Sequence, residues 1–172
     1  LMKIVIENAG AQTGFLILKQ GENWLVRASA TAEEVTVTNS LPLNSEHLPL
    51  SRAIVNYVIR TRENLVLNDA TNQGQFTRDA YILATQAKSI LCTPLIHQNQ
   101  LSGILYLENN LATGAFTPER LEVLKLLSSQ IAISLENAQL YSDLREFNQN
   151  LEQLVSDRTW ELRQTLENLK TT

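Results

Sequence analysis

The chain has 172 residues, of which 44% are hydrophobic, enough to fill the core of one ordinary domain that carries an appendage. Its 14 Lys and Arg residues against 18 Asp and Glu residues give a net charge of -4, which argues against nucleic acid and anionic membranes as partners. The single cysteine, Cys92, excludes an internal disulfide and a cysteine-based zinc site, and we expect a cytoplasmic protein.

The first ten residues, LMKIVIENAG, read as the interior of a helix. Leu1, Ile4, Val5 and Ala9 are spaced to share one helical face, and Gly10 is a suitable stop. No run in the sequence reaches the ~20 apolar residues of a membrane-spanning helix, so we expect no membrane contact within this segment. We also expect the chain to be a piece of a longer polypeptide.

Strand patterns follow. The runs TGFLILK and WLVRASA flank the turn QGEN and predict a β-hairpin, and EVTVTN predicts a third strand. After the proline-containing loop LPLNSEHLPL, Ala53, Ile54, Tyr57 and Val58 are spaced as in a helix that Ser51 caps.

The second half of the chain continues in the same mixed pattern. NLVLND predicts a short strand, and the polar loop ATNQGQFTRD leads to a short helix, AYILATQ, capped by Thr77 or Asp79. The runs SILCTPLI and LSGILYLEN, joined by HQNQ, predict a second hairpin. Thr117 as N-cap, Pro118 and Glu119 then begin one long helix. This order predicts an α+β fold, an antiparallel sheet with helices over one face.

Beyond the predicted core, the long helix carries apolar residues at alternating spacings of four and three, the seam of a coiled coil. Further on, three spacings of four follow one another, which changes the supercoil without ending the helix. The seam positions are Leu140, Leu144, Phe147, Leu151, Leu154, Arg158, Leu162, Leu166 and Leu169. Such a seam needs a second helix, and we expect a homodimer through these C-terminal helices; the alternative is a solvated tail.

The end of the chain, LEQLVSDRTWELRQTLENLK, resembles the signalling helix that joins a sensor domain to a histidine kinase core or a diguanylate cyclase domain. The residues that match its usual pattern are Leu151, Glu152, Val155, Arg158, Thr159, Glu161, Leu162, Glu167 and Leu169. The preceding stretch, from SILCTPLI to ENAQLY, resembles the C-terminal half of a GAF domain, especially those of cyanobacterial multi-sensor histidine kinases, and NLVLNDA and RAIVNYVIRTRE fit the same group.

The resemblance implies a GAF sensory domain over residues 1–142, with a central antiparallel sheet flanked by helices, and a long C-terminal coiled-coil helix over residues 143–172. It implies a regulatory domain of a two-component signal-transduction protein that relays a ligand- or redox-induced change to an output domain. The alternative that the sequence leaves open is a dimerisation module that senses nothing.

The sequence predicts no catalytic residue and no metal site in this segment. It has no phosphoacceptor histidine on a dimerisation helix and no glycine-rich ATP loop, and His47 and His97 are expected in surface loops. Some GAF domains reduce free methionine sulfoxide through a reactive cysteine with resolving partners. Cys92 stands alone in an apolar strand, which favours a core residue, although the reductase class stays open as an alternative.

The resemblance also bears on cofactors, of which none is identified. Bilin-binding GAF domains attach the chromophore through a cysteine that is typically followed by histidine, whereas Cys92 is followed by Thr93 and lies on a strand. GAF domains that bind cyclic nucleotides carry an Asn-Lys, Phe, Asp-Glu set, whereas here Asn68 is followed by Asp69 and FTRDA lacks the final acidic residue. Neither a covalent bilin nor a cyclic nucleotide is supported.

If a small molecule binds, the resemblance implies a pocket between the sheet and the loop-helix segment that covers it. The expected wall residues are Phe15, Tyr57, Asp69, Phe76, Tyr81, Cys92 and Tyr106. For each of them a purely structural role is the alternative.

Overall fold

The computed structural model describes residues 2–31 and 33–170, except for the side chains of residues 37–39. The elements are, in chain order, α1 (Met2–Ala9), β1 (Thr13–Gln20), β2 (Asn23–Thr31), β3 (Val35–Pro42), α2 (Arg52–Thr61), β4 (Leu65–Leu67), α3 (Ala80–Thr85), β5 (Ser89–His97), β6 (Gln100–Asn109) and α4 (Pro118–Lys170). Every helix and strand that the sequence predicts is present, and the α+β class is confirmed.

Within the described residues, six strands form one sheet in the order β3-β2-β1-β6-β5-β4, and all pairs are antiparallel. Both predicted hairpins are therefore confirmed. The β5–β6 turn consists of Gln98 and Asn99, both at positive φ, the conformation that two-residue hairpin turns favour. His97 is the last residue of β5 and is half-buried, so its prediction as a surface-loop residue is wrong, whereas His47 does lie in an exposed loop.

The central strands are buried on both faces of the sheet. Phe15 of β1, Tyr106 of β6 and Cys92 of β5 pair across the strands in one row. Leu107 and Leu91, which pair in the adjacent row, must point to the opposite face because strand side chains alternate, and they are also buried. Both faces of the sheet thus need a covering layer.

Helices α2 and α3 cover the face that carries Tyr106. Ile54, Val55 and Val58 of α2 and Ile82 of α3 belong to the same core cluster as Tyr106. Two side-chain caps begin these helices: Ser51 accepts a hydrogen bond from the Ile54 amide, as predicted, and Asp79, not Thr77, caps α3.

Helix α1 and the first turns of α4 cover the opposite face. The Ile6 side chain of α1 lies against Gly14 of β1, and Leu124 of α4 lines a small cavity together with Leu91 of β5. The expectation from the element order that the helices lie over one face is therefore wrong, whereas the sheet flanked by helices that the resemblance implies is confirmed. The physical reason is in the strands, because continuous apolar runs such as SILCTPLI leave no polar face for water.

In two helices the buried face differs from the face that the sequence predicts. In α1 the buried residues are Met2, Val5, Ile6 and Ala9, whereas Ile4 is 51% exposed and Leu1 lies outside the described residues. In α2 the buried set includes Val55, whereas Ala53 is exposed and Tyr57 is half-buried. Both sets obey helical spacing, and the tertiary contacts select one among several apolar faces.

The chain divides into two compact units, residues 1–133 and residues 134–172. Helix α4 is a single α-helix of 53 residues, and it continues through Arg158, where the seam changes its spacing. The domain boundary expected at residue 142 stays a prediction. In the part of the chain that the structure describes, none of the helices combines the length and apolarity needed to cross a bilayer.

The end of α1 is fixed by backbone geometry and by α4. The amides of Gly10 and Ala11 donate to the carbonyl oxygens of Glu7 and Ile6, and Gly10 has a φ of +66°, so α1 ends in the glycine motif that the sequence predicts. The Arg120 guanidinium lies directly against the Cα of Gly10. It is held there by donating to the carbonyl oxygen of Ala115 at 2.6 Å.

We expect Gly10→Ala to lower the free energy of unfolding by about 2 kcal/mol or more, because alanine is strained at positive φ and its methyl group would push Arg120 off Ala115. Gly21→Ala is the matched control, since Gly21 has a φ of +60° but nothing within 4 Å. It should cost about 1 kcal/mol from strain alone. Urea unfolding of both variants measures the difference, and equal costs would contradict the contact with Arg120.

Candidate functional site

Three residues of the predicted pocket form one row on the sheet face that α2 and α3 cover. The Phe15 and Tyr106 rings lie with their centroids 6.2 Å apart and tilted by 58°. Cys92 pairs with Tyr106 from the neighbouring strand and is fully buried. The row is densely packed, and Phe15, Cys92 and Tyr106 form part of the core.

Three further predicted residues lie at the edge of the same core cluster. Tyr57 of α2 and Phe76 of the following loop make an edge-to-face contact, with ring centroids 5.6 Å apart. Tyr81 of α3 is half-buried against the cluster. The loop-helix segment therefore covers the sheet face at the place that the resemblance implies.

Asp69 is not brought together with the other six residues. Its carboxylate accepts hydrogen bonds from Asn72 at 3.0 Å and 3.1 Å and from Thr71 at 2.8 Å. These hydrogen bonds lower the pKa of Asp69, and the bonds from Asn72 have the larger effect. It lines an open cavity of about 610 Å³ between the loop after β4 and the start of α4, which also involves Gly114 and Pro118. The position of Asp69 fits a loop-stabilising role.

A buried carboxylate that the sequence analysis did not single out lies beside the row. Glu108, two residues after Tyr106 in β6, is 1% exposed. Its carboxylate accepts from the Tyr81 hydroxyl, 3.0 Å from both oxygens, and from the Tyr106 hydroxyl at 3.0 Å. The Tyr106 hydroxyl also accepts from the backbone amide of Ser51 at 3.4 Å. One side chain thus connects β6 with α3 and, through Tyr106, with the start of α2.

The pKa values of Tyr81 and Tyr106, the two tyrosines that contact Glu108, are raised. Burial is the larger cause for Tyr81 and for Tyr106, and the negative charge of Glu108 adds to it. Within the described ranges 2–31 and 33–170, no Lys, Arg or His side chain forms an ion pair with Glu108. The tyrosine hydroxyls are therefore its main compensation.

Burial likewise raises the pKa of the Cys92 thiol. A thiol that is fully buried among apolar side chains is protonated at neutral pH and is a weak nucleophile. Cys92 thus fits a packing role in the core. The described residues also contain no group of three His, Cys, Asp or Glu side chains that could hold a metal ion.

The sequence does contain a signal for Glu108. Ile104, Tyr106 and Glu108 occupy alternate positions of β6, and the first two are core residues of one face. A carboxylate that continues this alternation points inward. The alternation ends at Glu108, which directly precedes the polar segment that leaves the strand.

The residue after Glu108 connects the strand with the end of α1 and with the loop that follows β6. The Asn109 side-chain amide donates to the carbonyl oxygen of Gly10 at 2.8 Å, and its side-chain oxygen accepts from the amides of Leu111 and Ala112 at 2.9 Å and 3.0 Å. The backbone of Glu108 itself accepts from the Gln12 amide at 2.8 Å. The end of β6 is therefore in contact with α3 on one face and with the end of α1 on the other.

A further cavity of about 360 Å³ lies along the outer side of α2. It is lined by Ala53, Asn56, Tyr57, Arg60, Gln75 and Phe76. It is open to solvent, and its polar side chains are exposed. The ring pair of Tyr57 and Phe76 separates it from the core cluster.

We expect Tyr81→Phe to lower the free energy of unfolding by about 1–3 kcal/mol, since it removes a hydroxyl donor from a buried carboxylate. Tyr57→Phe is the matched control, because the Tyr57 hydroxyl makes no hydrogen bond within the described residues and its ring contact would remain. Urea unfolding compares the two variants. Equal costs would contradict a stabilising role for the bond between Tyr81 and Glu108.

We expect stability to fall at alkaline pH in two stages. Because the pKa values of Cys92, Tyr81 and Tyr106 are raised in the folded state, the unfolded chain loses these protons first. The decline should begin near pH ~8.5 through the thiol and steepen above pH ~10, by roughly 1.4 kcal/mol per pH unit for each group. Urea midpoints from pH 7 to 11 measure it.

Two variants test which group causes each stage of the alkaline loss of stability. Cys92→Ala should flatten the slope of stability against pH below pH ~10, and Tyr81→Phe should reduce it only above pH ~10. A pH profile that neither variant changes would contradict the assignment.

Comparison with known proteins identifies the family. The family model of the GAF domain matches residues 1–135, which is most of the chain. Among solved structures, the GAF domain of an Acinetobacter phosphoenolpyruvate-protein phosphotransferase is similar, with a TM-score of 0.58 and 20% sequence identity over 79% of this chain and 78% of that one. At this identity the likeness shows the fold alone.

Two relatives are signalling proteins. Hybrid signal transduction histidine kinase G of Dictyostelium discoideum is 47% identical over 89 residues, 52% of this chain and 3% of that protein. The circadian input-output histidine kinase CikA of Thermosynechococcus vestitus is 38% identical over 81 residues, 47% of this chain and 11% of that protein. This chain spans only a small part of either relative. It belongs to the GAF domain family, and its relatives among histidine kinases mark it as a regulatory signalling domain.

Proposed function

We propose that this chain is the cytoplasmic sensory domain of a multidomain histidine kinase. Its GAF fold would receive a ligand- or redox-induced change, and its long helix, paired with the same helix of a second copy, would relay that change to an output domain outside these 172 residues. The identity of 47% and 38% with segments of two histidine kinases supports the kinase context.

The single observation that carries the pairing is the exposed apolar seam of α4. The apolar seam residues from Leu140 to Leu169 are all between 47% and 70% exposed in the single chain, with Leu151 the least exposed and Leu169 the most. An isolated helix gains little stability in water without packing its apolar stripe. A second copy offers an identical stripe, and packing of the two would remove both from water.

The remaining interactions of this helix segment do not replace such packing. Gln139 bonds Asp143 at 2.7 Å, and Arg158 pairs with Glu161 at 2.8 Å, both on exposed surface. Exposed pairs of this kind contribute a few tenths of a kcal/mol each. The mixed charges fit the solvated flanks of a coiled coil better than a nucleic-acid surface.

The relay would use the change of seam spacing at Arg158. The helix is continuous there, so two copies could pack in either of two registers that differ by a few kcal/mol. A ligand that binds one state of the GAF unit more tightly would shift the equilibrium between them.

Within the GAF unit, a structural change could pass from α3 to the terminal helices through the end of β6. Glu108 contacts α3 through Tyr81, and the adjacent Asn109 contacts the end of α1 and the segment that leads into α4. A displacement of α3 would therefore change the support of both terminal helices. The fully buried thiol of Cys92 favours ligand input over redox input.

A second candidate function is a dimerisation module that senses nothing. The close packing of Phe15 against Tyr106 favours it, because these rings fill the expected pocket. Melting temperatures with and without metabolites, bilins or haem separate the two, since selective binding to the native state raises the melting temperature. The burial of Cys92 argues against a methionine sulfoxide reductase. Turnover of free methionine sulfoxide that is lost in Cys92→Ser would support that function instead.

We expect the full chain to sediment as a dimer and a chain that ends at Tyr141 to sediment as a monomer. Leu151→Lys combined with Leu154→Lys should also give a monomer, because two charges would enter the seam. The matched control combines Gln149→Lys with Ser156→Lys, which adds the same charge on the outer side of the helix and should leave the dimer intact. A monomeric full chain would contradict the proposed relay.

A further inference from the structure

The sheet has an unpaired edge at β4. This strand, Leu65–Leu67, pairs with β5 on one side, and within the described residues no backbone hydrogen bond reaches its other side. The outward amide and carbonyl groups of an edge strand can pair with another extended chain, which joins the sheet as a further strand. β4 therefore offers main-chain hydrogen bonds to a partner.

Two cavities lie beside this edge, on the sheet face that α4 covers. One has a volume of about 150 Å³, and the other is the open cavity of about 610 Å³ that Asp69 lines. Val66 of β4 and Leu121 of α4 line both, so the two cavities adjoin and form one groove between the strand and the helix. An extended chain that pairs with β4 would lie along this groove.

The smaller cavity is suited to one aliphatic side chain. Leu91 and Leu124, which are 1% and 2% exposed, line it together with Val66 and Leu121. A cavity of this volume with aliphatic walls accommodates a molecule the size of benzene. A leucine, isoleucine or methionine side chain of a bound peptide would fill it and lose its contact with water.

The larger cavity has a polar lining. Asn68, Asp69 and Gln73 belong to it, and no Lys or Arg is among its described lining residues. Hydrogen bonds from Asn72 and its neighbour lower the pKa of Asp69, so this carboxylate is charged at neutral pH. The cavity therefore favours a polar or basic side chain over an aliphatic one.

The charges of the groove favour a basic segment of another protein over a second copy of this edge. Asp69 and Glu122 are acidic and Lys125 is basic among the residues that line the two cavities. The edge segments NLVLND, which includes β4, and EVTVTN, which includes the start of the other edge strand, contain no basic residue. Pairing of two β4 strands would also bring two copies of Asp69 to one groove, where like charges repel.

Adjoining cavities on one side of a strand receive alternate residues of a paired peptide. Residues i and i+2 of an extended chain point to the same face and lie about 6.6–6.8 Å apart. β4 runs from Asn64, at the smaller cavity, towards Asn68, at the larger one. A peptide in the more stable antiparallel orientation passes the larger cavity first. Its basic residue would then precede its aliphatic residue by two positions.

We propose that the groove between β4 and α4 is a docking site for an extended segment of a partner protein, which adds to β4 as an antiparallel strand. A Lys or Arg side chain of this segment occupies the larger cavity, and the aliphatic side chain two residues later occupies the smaller one. The inference goes beyond the sensory function proposed above, because the groove lies on the sheet face opposite to α2 and α3.

The test titrates the full chain with an acetylated and amidated hexapeptide, Ser-Lys-Thr-Leu-Thr-Ser, and follows backbone amide chemical shifts. We expect saturable shifts in β4 and in the first two turns of α4. Ala in place of Leu, or Glu in place of Lys, should weaken binding at least about tenfold. Absence of binding, or equal affinity of all three peptides, would overturn the proposal.

Methylation of the peptide backbone tests strand addition separately from side-chain recognition. Alternate residues of a strand direct their amides to the same neighbouring strand, so one of any two consecutive amides must bond β4. N-methylation of the central Thr or of the Leu should therefore weaken binding at least about tenfold in one of the two peptides. Equal affinity of both methylated peptides and the parent would overturn the added strand.

Variants of the chain locate the groove. Val66→Lys should weaken binding of the hexapeptide at least about tenfold, because it places a bulky charge where the two cavities meet. Leu41→Lys is the matched control on the other edge strand, where Leu41 is 42% exposed, and it should leave the affinity unchanged. Unchanged affinity in Val66→Lys would overturn the proposal.

A neutral substitution tests the role of Asp69. Asp69→Asn should weaken binding of the Lys peptide about two- to fivefold, and it should leave a peptide with Ala in place of Lys unaffected. Equal losses for both peptides would contradict the placement of the basic side chain.

Sedimentation with saturating hexapeptide distinguishes a partner segment from a second copy. The proposed dimer should persist, because its seam lies in α4 beyond the groove. Dissociation of the dimer by the peptide would show that a second copy occupies the edge and would overturn the proposal. A monomeric chain that binds the peptide would contradict the dimeric relay alone, and a dimer that ignores the peptide would contradict this inference alone.

Discussion

The structure depends on the burial of β6, which pairs with β1 on one edge and with β5 on the other. Because both of its edges are paired and both of its faces are covered, its side chains divide the core into two layers. Tyr106 and Ile104 belong to the layer of α2 and α3, and Leu107 and Leu105 belong to the opposite layer. Glu108 places a carboxyl group at the end of this buried strand, where the hydroxyls of Tyr81 and Tyr106 donate to it. The burial of β6 thus determines both the layers of the core and the position of Glu108 in the candidate site.

Most of the fold could be predicted from local patterns in the sequence. Three helix ends depend on local interactions that the sequence reveals without tertiary information. Gly10 ends α1 through its positive φ, and the side chains of Ser51 and Thr117 accept hydrogen bonds from nearby amides at the starts of α2 and α4. The element order alone does not reveal that helices cover both faces, because this placement depends on contacts distant in sequence, such as that of Ile6 with Gly14. The buried face of α1 was missed for a related reason, since Ile4 and Ile6 are equally apolar and only packing distinguishes them.

The candidate site was less accessible to sequence analysis. The aromatic candidates are implied by the family resemblance, and the structure gathers Phe15, Tyr81 and Tyr106 within one cluster and its edge. The resemblance also implies Asp69, yet its carboxylate accepts hydrogen bonds from Thr71 and Asn72 of its own loop. Glu108 was overlooked because a carboxylate near a strand end usually faces water. Its burial follows from the register of β6 with β1 and β5, which no local pattern specifies.

The unbroken course of α4 through Arg158 has a consequence for engineering. Each residue inserted into an α-helix rotates everything beyond it by about 100° and advances it by about 1.5 Å. Seven added residues make almost two full turns and restore nearly the original direction, and three or four leave it offset by only about 40–60°. Two or five added residues turn it by roughly 140–160°, almost to the opposite side. Chimeras that graft a foreign effector onto this helix should therefore alternate between functional and silent with the length of the junction.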